Sequence, residues 1–213
     1  MTAADPSAPS SEPSRSVEIE LKFDADDTTP LPEWTGLPGV ASVGAAELRK
    51  LDARYFDTAE FALASAGYAL RRRSGGPDAG WHIKGPRIGG GRTELHWPLG
   101  DQADEDVPDA VRSALAPVTD AELHPIARIL NTRTAYALSA ADGGLVAEFV
   151  DDRVTATDVR TGVSRTWREW EIELGPAAEA DPRGFFAAVK AAVLAAGGRA
   201  AASASKLARA LGY

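Results

Sequence analysis

Apolar and charged residues alternate without a miss from Val17 to Phe23. At a period of two, Val17, Ile19, Leu21 and Phe23 share one face of a strand, and Glu18, Glu20 and Lys22 share the other. The same alternation returns downstream. It predicts strands over Leu48–Phe56, Tyr68–Arg73, Gly80–Lys84, Arg92–Leu99, Asn131–Ser139, Leu145–Val150, Arg153–Val159 and Arg165–Leu174. Turn residues separate them at Gly75-Gly76-Pro77-Asp78, Gly89-Gly90-Gly91, Asp142-Gly143-Gly144 and Arg160-Thr161-Gly162.

Helical spacing is confined to short stretches. Asp57 or Thr58 caps a helix over Ala59–Ala66, and Gly67 stands at its C′ position. A second short helix covers 108–116, and 123–130 reads as a connector or a short helix. A longer helix runs over Pro182–Ala196, capped by Asp181 and stopped by Gly197-Gly198, and a last one over Ser205–Leu211. About eight hairpin-connected strands in one domain imply an α+β chain, mainly antiparallel β, folded as a barrel or sandwich.

The polar faces are nearly all charged, and their signs segregate. Arg71 and Arg73 share a face, as do His82 with Lys84 and Arg92 with Glu94 and His96; Arg133 adds a further base. Carboxylates collect on the first and later strands: Glu18 and Glu20, then Glu148 and Asp152, then Glu169, Glu171 and Glu173. A solvated sheet face would show the same alternation. Lining a closed barrel, these faces would set a cationic wall against an anionic one, as a polyphosphate with a divalent metal requires. A dozen buried charges are costly unless water and a ligand solvate them. His82 reads as a hydrogen-bonded wall residue, and Arg165 and Arg168 as surface charges.

Composition narrows the chemistry. Cysteine is absent and the three histidines are scattered, so carboxylate oxygen is the expected metal ligand. A net charge of −8 argues against a nucleic-acid partner. No apolar run reaches the ~18 residues of a membrane span. Residues 1–15, rich in Ala, Ser and Pro, read as a disordered tail before a domain over 16–213, and the expected location is cytoplasmic.

Glu18-Ile19-Glu20-Leu21-Lys22 resembles the Glu-x-Glu-x-Lys signature of the CYTH family, the triphosphate tunnel metalloenzymes. The resemblance continues in order through Tyr55-Phe56-Asp57-Thr58, Leu70-Arg71-Arg72-Arg73, Trp81-His82-Ile83-Lys84, Arg92-Thr93-Glu94, Arg133, Glu148 with Asp152, Glu169 to Leu174, and Ser205-Lys206. It implies an eight-stranded antiparallel tunnel with helices packed outside it. It also implies a dependence on magnesium or manganese (Mg2+ or Mn2+). Family members hydrolyse inorganic triphosphate, thiamine triphosphate or nucleoside triphosphates, and some cyclise ATP.

Carried over position by position, Glu18, Glu20, Glu148, Asp152, Glu169, Glu171 and Glu173 match metal ligands. Lys22, Arg71, Arg73, Lys84, Arg92, Arg133 and Lys206 match a triphosphate clamp, and Glu18, Glu20, Lys22 and Glu173 are the expected catalytic set. Tyr55 and Asp57 read as architectural. The expected activity is hydrolysis of inorganic triphosphate to diphosphate and phosphate by a monomer or homodimer. The alternatives are thiamine triphosphatase, with Trp34, Trp81 or Trp97 as an aromatic platform, an ATP cyclase, and a non-catalytic polyphosphate-binding module.

Overall fold

The computed structural model describes residues 12–34, 36–99 and 106–213. The expectation of a disordered tail falls mostly outside them. In chain order the strands are β1 (Ser14–Glu18), β2 (Glu20–Ala25), β3 (Ser42–Val43), β4 (Glu47–Asp57), β5 (Ala69–Ser74), β6 (Gly80–Ile88), β7 (Gly91–Pro98), β8 (His124–Ser139), β9 (Leu145–Asp158), β10 (Ser164–Leu174) and β11 (Arg199–Ala200). The helices are α1 (Ala62–Ser65), α2 (Asp109–Leu115), α3 (Arg183–Ala195) and α4 (Lys206–Leu211).

All pairings are antiparallel, in the order β1-β7-β6-β5-β4-β8-β9-β10-β2-β11, with β3 on β8. The opening alternation is two strands, not one. The ladder breaks at Ile19, so that β1 pairs with β7 at one end of the order and β2 with β10 near the other. The Leu174 N–H donates to the Ile19 carbonyl across the break, at 3.0 Å. One run of chain thus joins both sides of the sheet and closes it into an eight-stranded tunnel, with β1 and β2 counting as one stave.

Two expected interruptions are absent. In place of a connector or helix over 123–130, residues 124–130 are the first half of β8, and the two short strands expected over 145–159 are the single strand β9, which ends at Asp158. The bases and acids in those segments sit in strand register with partners on both sides, so the ladder carries through them.

The outward faces are apolar and covered. Phe23, Phe149, Trp170 and Ile172 pack under Phe185, Val189 and Val193 of α3. On another side Phe56, Leu70, Trp81, Ile83 and Trp97 pack with Leu63 of α1 and Val111 and Leu115 of α2. Burial of such faces against helices is what fixes the strand register, since a one-residue slip would turn every charge outward. Arg168 is not a surface charge. It is buried on the outer face, where it donates to Asp151 at 2.7 and 3.1 Å and to the carbonyls of Asp26 and Thr29 at 2.8 and 2.6 Å. The 26–29 loop folds over β10 and takes this guanidinium as its anchor.

The last helix behaves differently. Leu207 and Ala210 of α4 pack on Ala53, Tyr55, Ala127, Ile129, Val154 and Ala156, inward-facing residues at one end of the tunnel. Ser205 caps α4, its hydroxyl accepting from the Ala208 N–H at 3.1 Å. Lys206, the first residue of the helix, therefore points along the tunnel. Among the described residues no helix is long and apolar enough to cross a membrane.

Candidate active site

The tunnel encloses a cavity of about 710 Å3. Its wall includes Glu18, Glu20, Lys22, Arg71, Arg73, Lys84, Arg92, Arg133, Glu171, Glu173 and Lys206. Eleven residues singled out from seven separate stretches of sequence therefore face one space. Glu148, Asp152 and Glu169 lie off it. Glu148 lines a smaller adjoining cavity of about 340 Å3, where Arg49 grips it through two bonds of 3.0 Å each.

The seven carboxylates fall into three settings. In the first, Asp152, Glu169 and Glu171 each offer an oxygen within 4.8 Å of the others. The Lys206 ammonium stands on all three, at 2.8, 2.6 and 2.9 Å, and Arg133 adds bonds of 2.8 and 2.7 Å to Asp152 and 3.0 Å to Glu171. Burial opposes charge on Lys206, but Asp152, Glu171 and Glu169 outweigh it and raise its pKa. Burial likewise pushes Glu171 up, yet Lys206, Lys22 and Arg133 hold it well below the usual carboxylate range. This cluster is a buried ion network in which Asp152 and Glu171 are held ionised, while burial still pushes Glu169 up. The second setting is Glu148 on Arg49.

The third setting is Glu18, Glu20 and Glu173. Glu18 accepts from Lys84 at 2.5 Å; Glu20 accepts from Lys22 at 2.8 Å and from Arg87 at 3.0 Å. Glu173 has no hydrogen-bond or ion-pair partner among the described residues. Its side chain meets the water of the tunnel, yet desolvation by the surrounding wall, followed by the Glu18 and Glu20 charges, pushes its pKa up to about 7. A carboxylate trio with one member destabilised by the charge of the others is a set of hard oxygen donors short of a cation. Magnesium or manganese fits that donor set.

The opposite wall is short of anions. Arg73 is buried, and burial together with the Arg71 and Arg133 charges drives its pKa down to about 9. A guanidinium keeps its proton in nearly any setting, so this strain is expressed as a demand for an anion. Arg73 contacts Asp78, but its Nε, like that of Arg71, is buried without an acceptor among the described residues. Arg71 reaches Glu94 at only 3.4 Å. Burial would raise Glu94, but its hydrogen bond with Glu18 and the Lys84, Arg71 and Arg73 charges hold it at about 2. His82 is buried behind this wall, its Nδ1 at 2.7 Å from Glu94 and its Nε2 at 2.9 Å from the Asp78 carbonyl. Arg92 is partly committed, donating to the Gly85 and Gly67 carbonyls at 2.6 and 3.3 Å.

The lining also includes residues that the sequence reading does not single out, among them Arg49, Asp78, Arg87 and Asn131. Arg49 and Asn131 follow the odd-numbered inward face of β4 and β8, a signal that was available. Arg87 lies beyond a register shift between Lys84 and Arg87, which hides its side from simple alternation. Tyr55, expected to be architectural, also lines the cavity beside Arg71. The three tryptophans considered for an aromatic platform are in the outer cores.

The comparisons agree with this geometry. The model of the CYTH domain matches residues 16–209. The chain belongs to the CYTH family. Two uncharacterised proteins of Mycobacterium tuberculosis, from strains CDC 1551 and H37Rv, are each 37% identical over 210 residues, covering 94% of this chain and 41% of theirs. This CYTH chain thus spans less than half the length of those relatives. Among solved structures, an adenylate cyclase-named protein of Bacillus halodurans superposes with a TM-score of 0.62 at 17% identity, over 92% of this chain and 97% of that one. An adenylyl cyclase-named protein of Hippeastrum, described as having a dominant triphosphatase activity, gives 0.59 at 18%, over 91% and 95%. At such identities the structures speak to the fold: a CYTH tunnel.

Proposed function

We propose that this CYTH protein is a divalent-metal-dependent triphosphatase that cleaves the terminal phosphoanhydride of a triphosphate. The observation that carries the reading is the division of a single cavity. Arg71 and Arg73, each with a buried Nε that lacks an acceptor among the described residues, stand with Lys84 and Arg133 as a desolvated cationic surface, and Glu18, Glu20 and Glu173 face it, Glu173 without an ion-pair partner among the described residues. The charged length of the tunnel by itself suits inorganic triphosphate, the substrate expected from the sequence.

The clamp residues bind the phosphate oxygens and fix the chain of phosphates along the tunnel. Glu18, Glu20 and Glu173 would hold Mg2+ or Mn2+, which neutralises phosphate charge. A water oxygen attacks the terminal phosphorus, the bridging P–O bond breaks, and diphosphate leaves. Glu173, its pKa pushed up to about 7 while no cation is present, would ionise as the metal binds, and the proton that the attacking water loses leaves to the water of the tunnel. Asp152, Glu169 and Glu171 serve to hold Lys206 and Arg133 in place.

A phosphate-release assay with inorganic triphosphate, thiamine triphosphate and ATP, each with Mg2+ or Mn2+, tests this reading. Metal-dependent release from at least one supports it. Cyclic AMP and diphosphate from ATP would establish the cyclase instead, and binding without turnover would make the protein a polyphosphate-binding module.

A further inference from the structure

We propose that His82 is a positioning residue of the phosphate clamp: by holding Glu94 it keeps that carboxylate off Arg71, whose guanidinium is thereby left for the substrate. This rests on the triphosphatase reading and adds a residue to that same site. His82 is buried on β6 and does not line the cavity, so whatever it does for a substrate passes through a neighbour. Its register partners are Arg71 on β5 and His96 on β7. Arg71 is one of the two guanidiniums with a buried Nε that lacks an acceptor among the described residues.

Two donors compete for one oxygen. The His82 Nδ1 stands 2.7 Å from Glu94 Oε1, and the Arg71 Nη2 stands 3.4 Å from that same atom. The shorter contact is a full hydrogen bond and the longer one is weak. Glu94 is ionised at neutral pH and can only accept, so the Nδ1–H of His82 is the donor. The other Glu94 oxygen is 3.9 Å from Lys84. An arginine and a carboxylate side by side in a dry wall close into a two-bond pair when nothing prevents it, as Arg133 and Asp152 do at 2.8 and 2.7 Å. The ring on Glu94 keeps Arg71 from the same end.

A histidine suits this task because its ring is neutral and fixed. Burial, then the Arg71, Arg73, His96 and Lys84 charges, hold its pKa below the ordinary histidine value. It therefore occupies one oxygen of Glu94 without cancelling the carboxylate charge, as a lysine or arginine there would. Stacking fixes the ring: its centroid lies 4.6 Å from that of His96, with the planes at 34°. Glycine at position 80 makes room for the second ring, since a Cβ there would lie 2.3 Å from His96 Nε2. Gly80, His82, Glu94 and His96 form one unit behind the clamp.

The test measures inorganic triphosphate binding by calorimetry under Ca2+, and steady-state kinetics under Mg2+, in the wild type, His82→Leu, His82→Asn and His82→Gln. Asparagine sets an amide N–H where Nδ1 stands and keeps the hold on Glu94. Glutamine carries its amide past Glu94 towards the Asp78 carbonyl, which lies 2.9 Å from Nε2 in the wild type. His82→Leu and His82→Gln are expected to weaken binding and raise KM about tenfold with little change in kcat, and His82→Asn to recover most of the loss. The contrast of Asn with Gln decides the matter if the leucine variant fails to fold. Arg71→Ala should cost far less in the His82→Gln background than in the wild type, because Glu94 has already taken that guanidinium. Equal binding in the Asn and Gln variants, or an additive cycle with Arg71, overturns the inference even in an active triphosphatase. The expected pattern in binding upholds it even in a protein that hydrolyses nothing, and a wild type that binds no triphosphate overturns both readings.

Discussion

Glu20 and Glu173 stand opposite each other in the register of β2 and β10, and only one of them is compensated. Glu20 accepts from Lys22 and Arg87, whereas Glu173 faces the tunnel with no ion-pair partner among the described residues. The asymmetry gives the pair one anchored oxygen donor and one poised near neutral pH.

Metal-free stability should report that asymmetry. The folded Glu173 carboxyl keeps its proton up to about 7, above the ordinary value of 4.5 that it takes when unfolded. Its contribution is therefore favourable at pH 4 and is lost as pH rises from 4.5 through 7. Glu173→Gln, which cannot ionise, should melt higher than the wild type at pH 8 in chelator and close to it at pH 5. Mn2+ should raise the wild-type Tm at pH 8 and raise that of the variant less. Thermal unfolding across pH, with and without metal, checks both.

The two walls should separate in kinetics. Arg71→Ala and Lys84→Ala remove charge-assisted bonds to phosphate and should raise KM about tenfold or more. Glu20→Gln and Glu173→Gln should lower kcat by about a hundredfold or more with a smaller change in binding. Steady-state kinetics showing unchanged turnover in all four variants would remove these roles.

Lys206→Met leaves Asp152, Glu169 and Glu171 buried with less compensation. Removing one partner of a buried ion network costs about 3–5 kcal/mol. The loss should be largest above neutral pH and shrink towards pH 4, where the stranded acids can take up protons. Urea denaturation at pH 4.5 and 7.5 measures it.

Asp57→Ala tests the scaffold of the rim. Asp57 is buried and accepts from the N–H groups of Thr58, Leu63 and Ala64 at 2.7, 2.9 and 3.0 Å. Each N–H left unmet costs about 1–3 kcal/mol, so several kcal/mol of stability should disappear in chemical denaturation. Asp57→Asn, which retains an acceptor, should recover part of it.

Alternation legible in the sequence already assigned most inward faces. Arg71, Arg73, Lys84, Glu171 and Glu173 needed only a period of two, because a strand places every second side chain on one side. Ordinary cap and stop residues likewise marked the helices: Ser205 accepts at the start of α4, and Gly67 and Gly197 take the left-handed turn after α1 and α3. The break at Ile19 was not legible. Alternation runs straight through that residue, and only the competing demands of β7 and β10 for the same stave divide it.

The sequence alone determined that charge and apolar surface lie on opposite faces of antiparallel strands, and that the acids and bases are separated along the chain. Those facts follow from local geometry. Only the tertiary structure decided which acid met which base. Lys206 reaches Asp152 and Glu171 from α4, Arg49 takes Glu148, and Glu173 is left facing the tunnel with no partner among the described residues. Side-chain neutralisation inside a tunnel depends on which staves stand adjacent and at what shear, and no spacing within a single strand carries that information.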